Sequence, residues 1–287
     1  MDGILLVNKP IGMTSRDVVN ILMKKFNTRK MGHTGTLDPF ASGLMIVTIN
    51  NGTKISSYME DLDKEYIAEL KLGQKTSTLD LDGEVLEEKE VILPLDRNEI
   101  LKSFSNFIGD IKQVPPMYSA IKINGEELYK KARRGEVVER KERDVHISNI
   151  DLLSITKERI LFKVGCSKGT YIRTLGEDIA ATLSYPGHLT MLTRTKVGRY
   201  SINESKTIEE LDPSDIIPIS DALSHLPSIV VDEVIETKVK NGVKLRLNGH
   251  TLYFIKNKNN QPLAIYQRRD DGYYYCLRGF PTVNKTL

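Results

Sequence analysis

Little in this chain is built to be cross-linked, metallated or embedded in lipid. It has two cysteines, Cys166 and Cys276, far apart and without a companion Cys or a cluster of His. That excludes a disulfide framework and offers no zinc-ligand spacing; cysteine usage of this kind fits a reduced, cytoplasmic protein. No apolar stretch approaches the roughly 20 residues that a membrane span needs. The opening MDGILLVNKP has an acid where a secretory signal wants a base, and its apolar run is only four residues long, so no targeting segment is read there. Internal repeats and low-complexity tracts are missing as well. No segment has the Gly-Lys-Ser/Thr ending of a phosphate loop, and the glycine-rich GHTGTLDP does not satisfy G-x-G-x-x-G.

What is there is an ordinary globular composition, 40% hydrophobic and 28% charged over 287 residues, enough for one large domain and a small one. The net charge of +3 conceals an asymmetry. Residues 60–99 carry a net of −8, residues 128–143 a net of +4, and residues 236–287 a net of +7. Separated blocks of this kind suggest a side that faces a polyanion and a side that faces solvent.

GILLVNKP reads as a buried strand ended by Lys9-Pro10. Ser15 is the expected cap of a helix through RDVVNILMKKF. GLMIVTIN and EYIAELKLG read as strands, and Asp82-Gly83 as a turn. Asp96 and Glu99 suggest a capping-box variant for a helix with Leu101, Phe104 and Ile108 on its apolar face. RILFKVGCSKGTYIRTLGEDIAATL reads as strand, glycine turn and helix. Proline and acid punctuation between Asp212 and Pro227 marks a boundary near residue 225. Beyond it, TLYFIK, PLAIYQ and GYYYCLRGF are strand runs of a basic module too small for a secure core of its own, so it is expected to pack on the main domain.

The stretch GHTGTLDPFASG holds a single carboxylate, Asp38, among glycines and small hydroxyl residues. Asp before Pro is a respectable helix start, which needs no chemistry. Metal binding lacks companion ligands, and hydrolysis by paired carboxylates would need a distant partner such as Glu177 or Asp178. A covalent nucleophile is the remaining chemical role. Such an acid must stay ionised in a water-poor pocket, which calls for a buried cation beside it.

GHTGTLDPFASGLMIVTINNGTK strongly resembles the catalytic motif of the TruB family of tRNA pseudouridine synthases. LLVNKPIGMTS, KEYIAELKLGQKTSTLDLDGEV, QVPPMYSAIKINGEELYKKARRGE, VGCSKGTYIRTLGEDIA and GHLTMLTRTKVGRY resemble its further segments, in the same order, from about residue 2 to residue 200. The departures are Phe40, Ser42, Thr76-Ser77-Thr78 and Tyr200, none of which removes a charged group.

The resemblance implies roles at individual positions. Asp38 is the expected nucleophile, attacking the target uridine either at the ribose anomeric carbon or at the base, two routes left open. Arg173 pairs with it and Tyr66 stacks on the target base. His33, Tyr171 and Leu192 contact or line the pocket of the flipped-out nucleotide, and Lys9 and Pro10 support its floor. The expected reaction isomerises uridine 55 in the T-loop of tRNA to pseudouridine, with no cofactor and no metal, by a monomer without an obligate protein partner. A synthase for ribosomal or other RNA, or an RNA chaperone without turnover, are the alternatives. Phosphate contacts are expected from YKKARRGE and from Lys168, Arg194, Lys196 and Arg199. The expected fold is a mixed α/β (α+β) catalytic domain, residues 1–225, on a mainly antiparallel sheet. A small basic β-barrel-like, PUA-like RNA-binding module follows, residues 226–287.

Overall fold

The computed structural model describes residues 2–119, 121–123, 125–136 and 138–280; the last seven residues of the expected 226–287 module lie outside them. Ten strands form the main sheet: β1 (Gly3–Lys9), β2 (Met31–His33), β3 (Ser42–Ile49), β4 (Lys64–Leu72), β5 (Gly109–Gln113), β6 (Arg143–Thr156), β7 (Arg159–Cys166), β8 (Gly187–Val197), β9 (Tyr200–Ser201) and β10 (Ile217–Pro218). They run in the order β10-β1-β3-β8-β4-β7-β6-β5, with β2 on β3 and β9 on β8. Every pairing is antiparallel except β3 with β8, which meet in parallel at Ser42–Thr193 and Gly43–Arg194. This is the mixed α/β architecture with a mostly antiparallel sheet that the sequence led us to expect.

β1 and β3 are apolar runs because both of their faces are covered. Leu5, Val7, Met45 and Val47 join one core cluster, while Ile4, Leu6, Leu44 and Ile46 join another on the opposite face. β4 alternates instead, burying Lys64, Tyr66, Ala68, Leu70 and Leu72 and leaving the residues between them half-exposed. Among the described residues, the three longest helices are α1 (Ser15–Lys25), α2 (Arg97–Ser105) and α3 (Ile172–Thr182), beside shorter ones at Ser56–Glu60, Leu128–Arg133 and Ile219–Ala222. Thr14, not Ser15, caps α1, in a capping box with Asp17. Ser15 is buried and turned to another task described below. α2 starts at its Asp96 cap as expected, but it buries Ile100, Ser103 and Phe104, whereas Leu101 and Ile108 stand exposed. The apolar stripe is thus narrower than the hydrophobic residues alone suggest.

A second sheet comprises β11 (Ser228–Val231), β12 (Leu252–Asn257), β13 (Pro262–Arg268) and β14 (Tyr274–Gly279), with helix α4 (Glu233–Lys240) after its first strand. The last three are the strands read from the sequence; β11 and α4 were not. The four strands pair in chain order, so among the described residues this sheet is open where a barrel-like closure was expected. Phe254, Ile265 and Phe280 pack into the cluster of Ile4, Leu6, Leu44 and Ile46, and Lys54 Nζ donates to Gly279 O at 2.6 Å. The small sheet is therefore seated on the back of β1 and β3.

Candidate active site

The segment between β2 and β3 carries Asp38, and several contacts fix its course. Gly35 takes φ +85, a conformation open to glycine and strained for other residues. Asp38 and Pro39 start a turn, not a helix: Ala41 N donates to Asp38 O at 3.1 Å, and Gly12 N to Pro39 O at 2.8 Å. The buried Ser15 hydroxyl donates to Leu37 O at 3.0 Å and accepts from Leu37 N at 2.9 Å, tying the residue before Asp38 to the start of α1. Asp38 is thereby held at the base of a cleft of about 890 Å³.

Arg173, in the first turn of α3, projects into the same space. Its Nε lies 2.9 Å from Asp38 Oδ2 and its Nη1 lies 3.2 Å from Asp80 Oδ2. Nη1 also donates to Thr78 O at 2.7 Å, and Nη2 to Tyr118 O at 2.8 Å. The guanidinium is thus held from several sides, and little of its side chain is exposed. Asp80, the second carboxylate, is buried and accepts from Asp82 N at 3.0 Å and from the Thr78 hydroxyl. Leu79 between them adopts φ +63, a strained conformation for leucine that the surrounding contacts impose.

A third of the Asp38 side chain faces the cleft, and the rest is packed against protein. Burial pushes its carboxyl above the ordinary carboxylate range; Arg173 opposes this most, buried Asp80 adds to it, and Lys9 opposes it. Lys9 is fully buried at the end of β1, its Nζ donating to Pro10 O at 2.9 Å and Met13 O at 2.7 Å. Burial lowers its pKa to about 8, against the field of Asp38.

Tyr66 and Leu192 form the sheet floor of the cleft, each less than a tenth exposed. Register places Tyr66 between Val164 on β7 and Arg194 on β8. Tyr171 borders the cleft as the N-cap position of α3, its backbone held by Gln113, which accepts from Tyr171 N at 3.0 Å and donates to Tyr171 O at 3.2 Å. The structure therefore brings Asp38, Tyr66, Tyr171, Arg173 and Leu192 together. Lys9, Pro10 and His33 lie outside the lining: Lys9 braces the turn beneath, Pro10 is exposed, and His33 sits on β2 opposite Val47, where burial lowers its pKa.

Other expectations meet different surroundings. Glu177 pairs with Lys75, and Asp178 is pushed by burial to about 6, but neither reaches the cleft. Of the bases expected to contact phosphate, Lys168 pairs with Asp61 at 2.6 Å, Lys196 with Glu65 at 3.2 Å, and Arg134 with Glu126 and Glu136 at 2.6 and 2.7 Å. Arg199 donates to Asp221 O at 2.7 Å, and Arg194 is buried. Asp80 escaped notice in the sequence because it sits in the acidic block 60–99, read as solvent-facing. The signal available was TLDLDG, an acid just before the turn and followed by an Asp-Gly pair.

Comparison with known proteins points one way. The family described as TruB family pseudouridylate synthase (N terminal domain) matches residues 23–172. A protein of Alkaliphilus oremlandii named tRNA pseudouridine synthase B is 43% identical over 275 residues, 94% of this chain and 91% of that one. One of the same name from Shouchella clausii is 41% identical, covering 92% and 93%. Among solved structures, a Cbf5-Nop10-Gar1 complex aligns with a TM-score of 0.73 at 25% identity, over 93% of this chain and 78% of that one. An H/ACA RNP bound to a substrate RNA containing 2′-deoxyuridine aligns at 0.74 with 21% identity, over 97% and 85%, a likeness of fold.

Proposed function

The chain belongs to the TruB family of pseudouridylate synthases, isomerases that make pseudouridine, and from that premise we propose that it isomerises uridine 55 in the T-loop of tRNA, with Asp38 as the nucleophile. The observation that carries this reading is the pairing of Asp38 with a buried Arg173 over a Tyr66 floor in one cleft. A uridine in a folded loop reaches that depth only when extruded, so the target nucleotide flips out and its base lies on Tyr66. Arg173 takes one carboxylate oxygen of Asp38, Oδ2, which leaves the other free to attack. The guanidinium also opposes the protonation that burial favours. Whether the carboxylate bonds to ribose C1′ or to the base, the N1–C1′ bond breaks, the base turns and C5 bonds to C1′. The carboxylate is then released, C5 gives up its proton and N1 gains one, so the isomerisation balances with no cofactor. The small basic sheet is read as an RNA-binding module, and the enzyme as a cytoplasmic monomer.

The test uses unmodified tRNA carrying tritium at C5 of uridine. Release by the native enzyme, none by Asp38→Ala, and mapping of the product to position 55 support the reading. Release from ribosomal RNA fragments alone would redirect the substrate, and tRNA binding without release would leave only a chaperone.

A further inference from the structure

Arg194 is 1% exposed and heads the largest fully buried side chains among the described residues. Unlike Arg173, it forms no ion pair with a carboxylate among those residues; its partners are carbonyl groups. Nε donates to Leu44 O on β3 at 2.7 Å and Nη2 to Gly35 O in the nucleophile loop at 3.3 Å. The third neighbour is Tyr66, its register partner on β4, whose hydroxyl feels the charge of the guanidinium. Sealing a cation from water without a counter-charge is costly, and here that cost falls where three parts of the site converge.

The backbone is shaped to admit this arrangement. At Gly43, φ +105, a Cβ would lie 2.4 Å from Arg194 O and 2.8 Å from Arg194 N. At Gly35 it would lie 3.5 Å from Arg194 Nη1. The two glycines that bracket the Asp38 segment thus face one arginine, Gly43 its backbone and Gly35 its guanidinium. Gly43 also sits at the parallel contact between β3 and β8.

We propose that Arg194 is a positioning residue: its guanidinium ties the Asp38 loop to β3 and to the Tyr66 ring, and so sets the gap into which the uridine enters. This rests on the reading of Asp38 and Tyr66 given above. Lysine cannot reproduce the role, because one ammonium cannot span two carbonyls and a phenol with a planar fork. A phosphate site is the other use for a lone cation. The burial of Arg194, with its guanidinium engaged by backbone carbonyls, speaks against it.

The experiment compares full-length wild type, Arg194→Lys and Arg194→Met. It measures single-turnover tritium release at saturating enzyme, tRNA affinity by filter binding, and the tyrosine ¹³Cζ resonance assigned to Tyr66 by its loss in Tyr66→Phe. Both variants are expected to slow release by about 10- to 100-fold, the scale of a misplaced reacting pair. Affinity should stay unchanged, and the Tyr66 signal should move. Wild-type rates in Arg194→Lys, an unmoved Tyr66 signal, or a loss confined to affinity would each overturn the proposal. Should Arg194→Met fail to fold, Arg194→Lys and the resonance decide. If the wild type itself releases no tritium, the functional reading fails, while the Tyr66 resonance still reports on the tie.

Discussion

Asp80 and Arg173 form an ion pair, Oδ2 to Nη1 3.2 Å, with about 95% of each side chain hidden from solvent. Asp38 meets the same guanidinium through Nε. One cation therefore serves two acids, and the acid that faces the cleft feels both the attraction of Arg173 and the repulsion of Asp80.

Asp80→Asn keeps the shape and removes one charge. Release from tRNA is expected to fall, because Arg173 loses a fixed anchor, while tRNA affinity holds. Stability should drop by about 1–3 kcal/mol, the range for weakening a buried charged hydrogen bond. Chemical denaturation and single-turnover kinetics check the two parts separately.

The pH dependence of catalysis follows from the signs at Asp38. Its carboxyl is raised by burial, so the acid limb of the single-turnover rate should lie above 3.8, the ordinary value. Asp80→Asn removes a repulsion and should move that limb to lower pH. Lys9→Met removes an attraction and should move it to higher pH. Identical limbs in the three proteins would show that Asp38 does not set the profile.

The same shift makes Asp38 a burden on the fold. An acid whose folded pKa exceeds its unfolded one contributes stability below the unfolded pKa, and loses it as pH rises through the folded pKa. At neutral pH the ionised Asp38 thus works against folding. Asp38→Asn should abolish tritium release yet melt at or above the wild-type temperature, as measured by calorimetry at pH 7.

Gly43→Ala should damage the fold before the chemistry. A positive φ of 105° and a Cβ 2.4 Å from Arg194 O leave it no room. Strain of the backbone alone is about 1–3 kcal/mol, and separating β3 from β8 adds to it. A lowered urea midpoint, together with slower release, is the expected result.

Much of this was legible in the sequence because the residues concerned obey local rules. β1 and β3 announce themselves as unbroken apolar runs, β4 by alternation, and α3 by the glycine turn before it. Asp38, Arg173 and Tyr66 stand in segments whose resemblance to a family is dense. What stayed hidden depends on distance in the fold. Asp80 looks like one more surface acid until the segment between the paired strands Gln74–Thr76 and Val85–Glu88 meets Arg173 of α3. Ser15 looks like a helix cap until Leu37 claims its hydroxyl and Thr14 takes its place. Arg194 and Lys168 are alike as letters, yet one is sealed under Gly35 and the other is exposed beside Asp61.

The seat of the small C-terminal sheet has a practical corollary. Leu44 supplies its carbonyl to Arg194 on one side and its side chain to the cluster shared with Phe254 and Phe280 on the other. Trimming the protein near residue 225 would strip Ile4, Leu6, Leu44 and Ile46 of the part of their cover that Phe254, Ile265 and Phe280 supply, far from the Asp38 loop in sequence but back to back with it in space. Such a shortened version should turn up in inclusion bodies, and its inactivity would report a collapsed scaffold rather than a missing grip on RNA.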